Sequence, residues 1–192
     1  MSADHELALR RRFQSGDRAA FRALVTPHVD TVFTLCLRMT GNRADADELA
    51  QDALTRALQR HAAYDATRDF RPWLLTIAAN LCRDRIRGGW WRNLARGLTL
   101  VHQHEQTPED DVLDTEGDAV VRGALATLPA LYREAVALFY LENMTYAEME
   151  VITGISESAL KQRVRRGLAM MEQAVIRLYP DYAGNRTLKK VP

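Results

Sequence analysis

Apolar positions along the chain recur every three or four residues almost throughout, and no stretch alternates apolar and polar with the period of a half-buried strand. Asp17 stands as a cap before a segment carrying Phe21, Leu24 and Val25. Pro27 opens or bends into the next segment, with Val29, Val32, Phe33, Cys36 and Leu37 on one stripe and Gly41 as its stop. A helix is predicted from about Ala44 to Arg60, burying Ala46, Leu49, Ala50, Ala53, Leu54, Ala57 and Leu58. Another is predicted from Pro72 to about Arg87, with Trp73, Leu74, Ile77, Ala78, Leu81 and Ile86 inside. The stripe fails from Gly88 to Gly117, resumes near Asp118 and is renewed at Pro129, a suitable first helical position.

The stretch TYAEMEVITGISESALKQRVRRG, Thr145 to Gly167, holds two helix starts and one tight turn. Thr145 and Glu148 have capping-box spacing, which predicts a helix beginning at Tyr146. Gly154 can adopt the left-handed conformation that stops it, and Ser156 is a suitable cap for a second helix from Glu157. That second helix carries Leu160, Val164, Leu168, Met171, Val175 and Leu178 on its apolar stripe. Ser158, Lys161, Gln162 and Arg165 share another face; a hydroxyl, an amide and two cations are the types that contact phosphates and base edges in the major groove. The same face suits a solvated surface helix, so the stretch alone leaves both readings standing.

Two other faces carry candidate chemistry. Asp47, Glu48, Gln51, Asp52 and Thr55 lie off the buried stripe of the 44–60 helix. An acidic ridge can dock on a basic partner, and acids in a first turn also favour the positive end of the helix dipole. Thr76, Asn80, Arg83, Asp84 and Arg87 gather opposite the stripe of the next helix, where cations can hold phosphates while the amide pairs with an unstacked base. Tyr64 and Phe70, in the loop before it, can stack on that base or fill the core.

Charge distribution changes the picture more than composition does. The net charge of the 192 residues is only +1. Yet Arg83, Arg85, Arg87, Arg92 and Arg96 face the single acid Asp84, and Glu105, Glu109, Asp110, Asp111, Asp114, Glu116 and Asp118 follow without a base. The fold class expected is all-α: two small helical domains joined by an acidic flexible linker, the second with a helix-turn-helix. The division is residues 1–90, a linker over 91–117, a second domain over 118–180 and a tail over 181–192. Cys36 and Cys82 read as buried thiols. His102 and His104 sit among carboxylates in the linker, which offers no helical register for ligands, and no His-Glu-x-x-His or Cys-x-x-Cys pair occurs. No metal and no cofactor are expected. No apolar run approaches the ~20 residues of a membrane span, and the start of the chain lacks a signal-peptide core. A cytoplasmic protein without stable membrane insertion is expected.

DADELAQDALTRAL, FRPWLLTIAANLCRDRIR and, after the linker, LATLPALYREAVALFYLENMTYAEMEVITGISESALKQRVRRG together resemble the extracytoplasmic-function (group IV) sigma factors of bacterial RNA polymerase. The resemblance implies a promoter-specificity subunit with no catalytic residues of its own. It implies that Asp47, Glu48, Gln51 and Asp52 bind core RNA polymerase. Asn80, Arg83, Asp84 and Arg87, with the loop from His61 to Arg71, would melt and capture a strand of the minus-ten element. Ser158, Lys161, Gln162 and Arg165 would read the minus-thirty-five element, with Arg163 and Arg166 as phosphate clamps. Promoter DNA and an anti-sigma factor are the further partners implied; Trp90 and Trp91 either cap the first domain's core or, beside Arg87 and Arg92, contact DNA or a regulator. The chain departs from the family pattern at Glu150 and Gly167, where a small residue and alanine are usual, and at Gln162, where serine is usual. Glu150 is expected either to point outward or to loosen the packing of the two short helices, and Gly167 to weaken its helix by up to ~1 kcal/mol. The alternative weighed is a helix-turn-helix regulator of the response-regulator output type, which requires a strand-containing domain upstream.

Overall fold

Helix starts and stops follow the local chemistry. In the computed structural model, which describes residues 3–95, 116–141 and 143–180, Asp17 accepts hydrogen bonds from the amides of Ala19 and Ala20. Gly41 and Gly154 end their helices in the left-handed conformation, at φ 72° and 70°. The N-terminal group comprises α1 (Ala3–Gln14), α2 (Arg18–Val25), α3 (Val29–Thr40), α4 (Arg43–Gln59) and α5 (Phe70–Ala95). The C-terminal group comprises α6 (Glu116–Ala126), α7 (Ala130–Val136), α8 (Tyr146–Thr153) and α9 (Glu157–Leu178). Among the described residues there is no strand.

Two helices differ from the sequence pattern. α1 has no counterpart there, because the run Arg10–Arg12 masks Leu9 and Phe13, four residues apart on one face. Phe13 is fully buried, with its ring 5.3 to 5.8 Å from those of Phe21, Tyr64, Phe70 and Trp73. Tyr64 and Phe70 are therefore core, not base-stacking platforms, and burial pushes the Tyr64 hydroxyl up to about 12. α5 continues past Arg87 through Gly88 and Gly89 to Ala95. Glycine stops a helix by turning left-handed, and neither of these does. The side chains of Trp90 and Trp91, the linker histidines His102 and His104, and the tail lie outside the described residues.

α5 is buried nearly all round over its first half. Leu75, Ala79 and Cys82 are as inaccessible as the predicted stripe of Leu74, Ile77, Ala78 and Leu81. α3 and α4 cover one side, and α8 covers the other, so one apolar core runs through both groups from Leu9 to Val164. Cys36 and Cys82 are the buried thiols expected; their mutual hydrogen bond and burial push the Cys82 thiol far up.

In the helix-turn-helix, Thr145 and Glu148 form both halves of the capping box. Ser156 occupies the cap position of α9 without making a cap bond; its hydroxyl lies 3.3 Å from that of Ser158. Glu150 is exposed and leaves the packing of α8 undisturbed. At Gly167 α9 packs tightly against α7: a Cβ there would stand 2.6 Å from Cγ2 of Val136 and 3.3 Å from the Tyr132 carbonyl. The glycine thus admits a bulky neighbour and does not loosen the domain. Gly167→Ala is expected to destabilise the chain by about 1 to 3 kcal/mol through overpacking, although helix propensity alone favours alanine by up to ~1 kcal/mol. Val136→Ala in the same chain should restore most of the loss, as read by urea denaturation.

Candidate nucleic-acid interface

α9 turns its apolar stripe of Leu160, Val164, Gly167 and Ala174 inward, which leaves Ser158, Lys161, Gln162, Arg165 and Arg166 exposed on one side. Lys161 is steadied by Glu157 at 3.6 Å and by the Tyr146 ring, whose centroid is 5.4 Å from its Nζ. Gln162, Arg165 and Arg166 present two cations and an amide to solvent. Arg163 is only half exposed and turns toward the other group of helices. Leu178 ends the stripe in solvent.

The polar face of α5 is divided. Asn80, Asp84 and Arg87 are exposed, with Arg87 paired to Asp84 at 2.6 Å. Thr76 bonds back to the Pro72 carbonyl. Arg83 leaves this face: its Nε donates to Glu134 of α7 at 2.9 Å, and Nη2 to the Ile152 carbonyl at the end of α8 at 3.1 Å. Its Nη1 donates to the Asn80 side-chain oxygen. The guanidinium expected to meet DNA thus joins the two groups of helices. A groove of about 340 Å³ opens beside it, lined by Met39, Ile86, Leu131, Arg87 and Arg163.

Arg133 and Glu134 are buried charges at the junction that the sequence pattern passed over. Both are buried although adjacent and charged, at 3 % and 6 % exposure. Arg133 donates to the carbonyls of Met39 in α3, Ala126 at the end of α6 and Leu128 just beyond it, at 2.9 to 3.0 Å. Burial among these neutral acceptors lowers its pKa. The available signal was two charges interrupting the apolar run of LYREAVALFYL. A third tie is peripheral: Arg71 lies 3.9 Å from Glu148, whose carboxyl the Thr145 amide holds below its usual range.

On α4, Asp47, Glu48, Gln51 and Asp52 are exposed together. Arg85 of α5 crosses to this ridge, with Nη2 2.7 Å from Glu48 and Nη1 on Asp45. The hydrogen bond to Glu48, with the neighbouring Asp45, raises the Arg85 pKa. Glu48 therefore already has a cation, whereas Asp47 and Asp52 extend the ridge beyond it.

Residues 24–92 match the family model for Sigma-70 region 2, and residues 119–171 match that for Sigma-70, region 4. SigW of Bacillus subtilis, an ECF RNA polymerase sigma factor, is 31 % identical over 84 % of this chain and 94 % of its own. The chain belongs to the extracytoplasmic-function sigma factors. SigL of Mycobacterium tuberculosis, of the same description, is 30 % identical over 78 % of this chain and 85 % of its own. Among solved structures, CnrH in complex with the cytosolic domain of CnrY superposes with a TM-score of 0.65 at 25 % identity, over 91 % of this chain and 98 % of CnrH. RpoE of Bartonella quintana, solved with the anti-sigma factor NepR, shares the fold at a TM-score of 0.67 and 20 % identity, over 81 % of this chain and 96 % of RpoE. This sigma factor is an alternative promoter-specificity subunit that binds core RNA polymerase and directs transcription initiation. No described helix is long and apolar enough to cross a membrane.

The ties described here hold the two sigma domains together. Glu134→Gln removes the charge that anchors Arg83 and is expected to weaken that packing by roughly 1.5 to 3 kcal/mol, the worth of a charge-assisted bond. Small-angle scattering should show a larger radius of gyration with unchanged helical content. An unchanged radius would show that the apolar contacts alone hold the domains.

Proposed function

We propose that the exposed ridge of α4 docks on core RNA polymerase, that Asn80, Arg83, Asp84 and Arg87 with the loop 61–71 capture the minus-ten strand, and that α9 reads the minus-thirty-five duplex. Region 2 falls in the N-terminal group of helices and region 4 in the C-terminal group, and neither is assigned a catalytic residue. The role of the whole is selection and melting, in the cytoplasm where the polymerase works. An anti-sigma factor as negative partner is proposed from family membership.

The observation that carries this reading is the pair of separate polar faces on α5 and α9, one of them partly covered by the other domain. Arg83 and the Ile152 carbonyl are 3.1 Å apart. Arg83 is thus held by the second domain in the packed chain, so its release to DNA requires the domains to open, and it then exchanges Glu134 for phosphate. Arg165 and Arg166 on α9 lie off the apolar stripe and divide between base and phosphate contact; Arg163, half exposed at the groove, becomes more available on opening.

Run-off transcription with core polymerase on a library of promoter fragments tests the function and reads its specificity. Asp52→Lys is expected to weaken core binding without loss of helicity, whereas Glu48→Lys should also lower thermal stability because it faces Arg85. Arg165→Ala should cost ~1 to 3 kcal/mol of discrimination between matched and scrambled minus-thirty-five duplexes. Arg166→Ala should weaken both duplexes alike and make the salt dependence shallower by about one ion. Equal weakening by Arg165→Ala would move base reading to Ser158, Lys161 or Gln162.

A further inference from the structure

The segment 61–69, HAAYDATRD, has a fixed shape although it lies between α4 and α5 with only one short 3-10 turn, His61–Ala63. Its shape is imposed from α1, which lies outside the 24–92 span of the region 2 match. Gln14 Nε2 donates to the Tyr64 carbonyl at 2.8 Å, and His61 Nδ1 lies 3.0 Å from the Gln14 carbonyl. Arg10 Nη1 donates to the Arg68 carbonyl at 3.1 Å, while its Nη2 meets Asp69 at 3.1 Å and Glu6 at 2.7 Å. Between these, Phe13 packs on Tyr64, whose hydroxyl donates to the same Arg68 carbonyl at 2.5 Å. Arg10, Phe13 and Gln14 share one face of α1 by their spacing. Both ends of the segment are thus tied from beneath, and Asp65, Thr67, Arg68 and Asp69 are exposed above.

We propose that α1 is a strut for strand capture, with Arg10 and Gln14 as positioning residues that set minus-ten base preference without touching DNA. The inference rests on the proposed role of the loop 61–71. A single-stranded base is recognised by a few hydrogen bonds whose geometry must be held to within a fraction of an ångström. A loop without regular structure holds such geometry only if its backbone is bonded to something rigid, and here that body is α1. The strut is separate from the domain packing, since none of its bonds reaches α6 to α9.

The test uses the full chain assembled with core polymerase on a promoter library randomised in the minus-ten element. Arg10→Ala and Gln14→Ala are expected to flatten minus-ten base preference by roughly 5- to 100-fold, the value of one base contact. Affinity for core and preference for the minus-thirty-five duplex should be unchanged, and amide exchange should accelerate at Ala63, Tyr64 and Arg68. Gln14→Glu, which aims an acceptor at the Tyr64 carbonyl, should be at least as damaging as alanine. Gln14→Ala removes one side-chain bond and carries the test alone if Arg10→Ala compromises folding. Unchanged preference in the variants, or an equal loss on every sequence, overturns the strut. Thr67→Ala and Arg68→Ala distinguish the levels: if they alter preference and the α1 variants do not, the strut falls alone. If they leave preference unchanged, the loop's assignment falls and the strut with it.

Discussion

Glu134 is a carboxylate at the centre of an apolar junction, and a buried charge is tolerated only when paired. Its partner, Arg83, comes from the other domain 51 residues earlier. The next residue along the chain, Arg133, runs the opposite way and closes on the carbonyl of Met39, 94 residues away. Two neighbouring residues of α7 thus cross to α5 and α3 respectively. Separation of the domains would leave Glu134 without its cation and Arg133 with only the Ala126 and Leu128 carbonyls, which makes the packed state specific in its register as well as favourable in apolar area.

That constraint explains the double character of α5. Its first half has apolar side chains on nearly every face, and a helix of that kind must be covered on all sides. α3 and α4 cover one side; α8, oriented by the Arg83 bond to the Ile152 carbonyl, covers the other. The second half carries the arginines, each with a different destination: Arg83 to the C-terminal domain, Arg85 to the acidic ridge of α4, Arg87 to Asp84 and solvent. A residue that serves domain packing in one state and is proposed to hold DNA in another gives the chain a choice between the two. α9 is less constrained, because among the described residues its outward face meets another element only where Lys161 lies over the Tyr146 ring of α8.

The apolar stripes of α4 and α9, the caps at Asp17 and Thr145, and the stops at Gly41 and Gly154 were all legible from residue order, since each depends on neighbours within one or two turns. So were the exposed ridge from Asp47 to Asp52 and the exposed face from Ser158 to Arg166, because what lies opposite a stripe is outside. What misled was equally local. Three arginines hid α1, two glycines suggested an end to α5 that backbone conformation did not impose, and Gly167 read as a defect until Val136 was seen against it.

The sequence by itself determined the all-α class, the order of the two domains and the faces each helix offers, because periodicity and capping act over a few residues; the family followed from the resemblance of its motif blocks. Only the tertiary structure decided where individual charges go. Tyr64 and Phe70 became core through Phe13, Glu48 acquired Arg85, and Arg83, Arg133 and Glu134 became the junction between domains. Each of those outcomes depends on a partner 37 to 94 residues away, and a charged side chain carries no mark in the sequence of which distant partner will reach it.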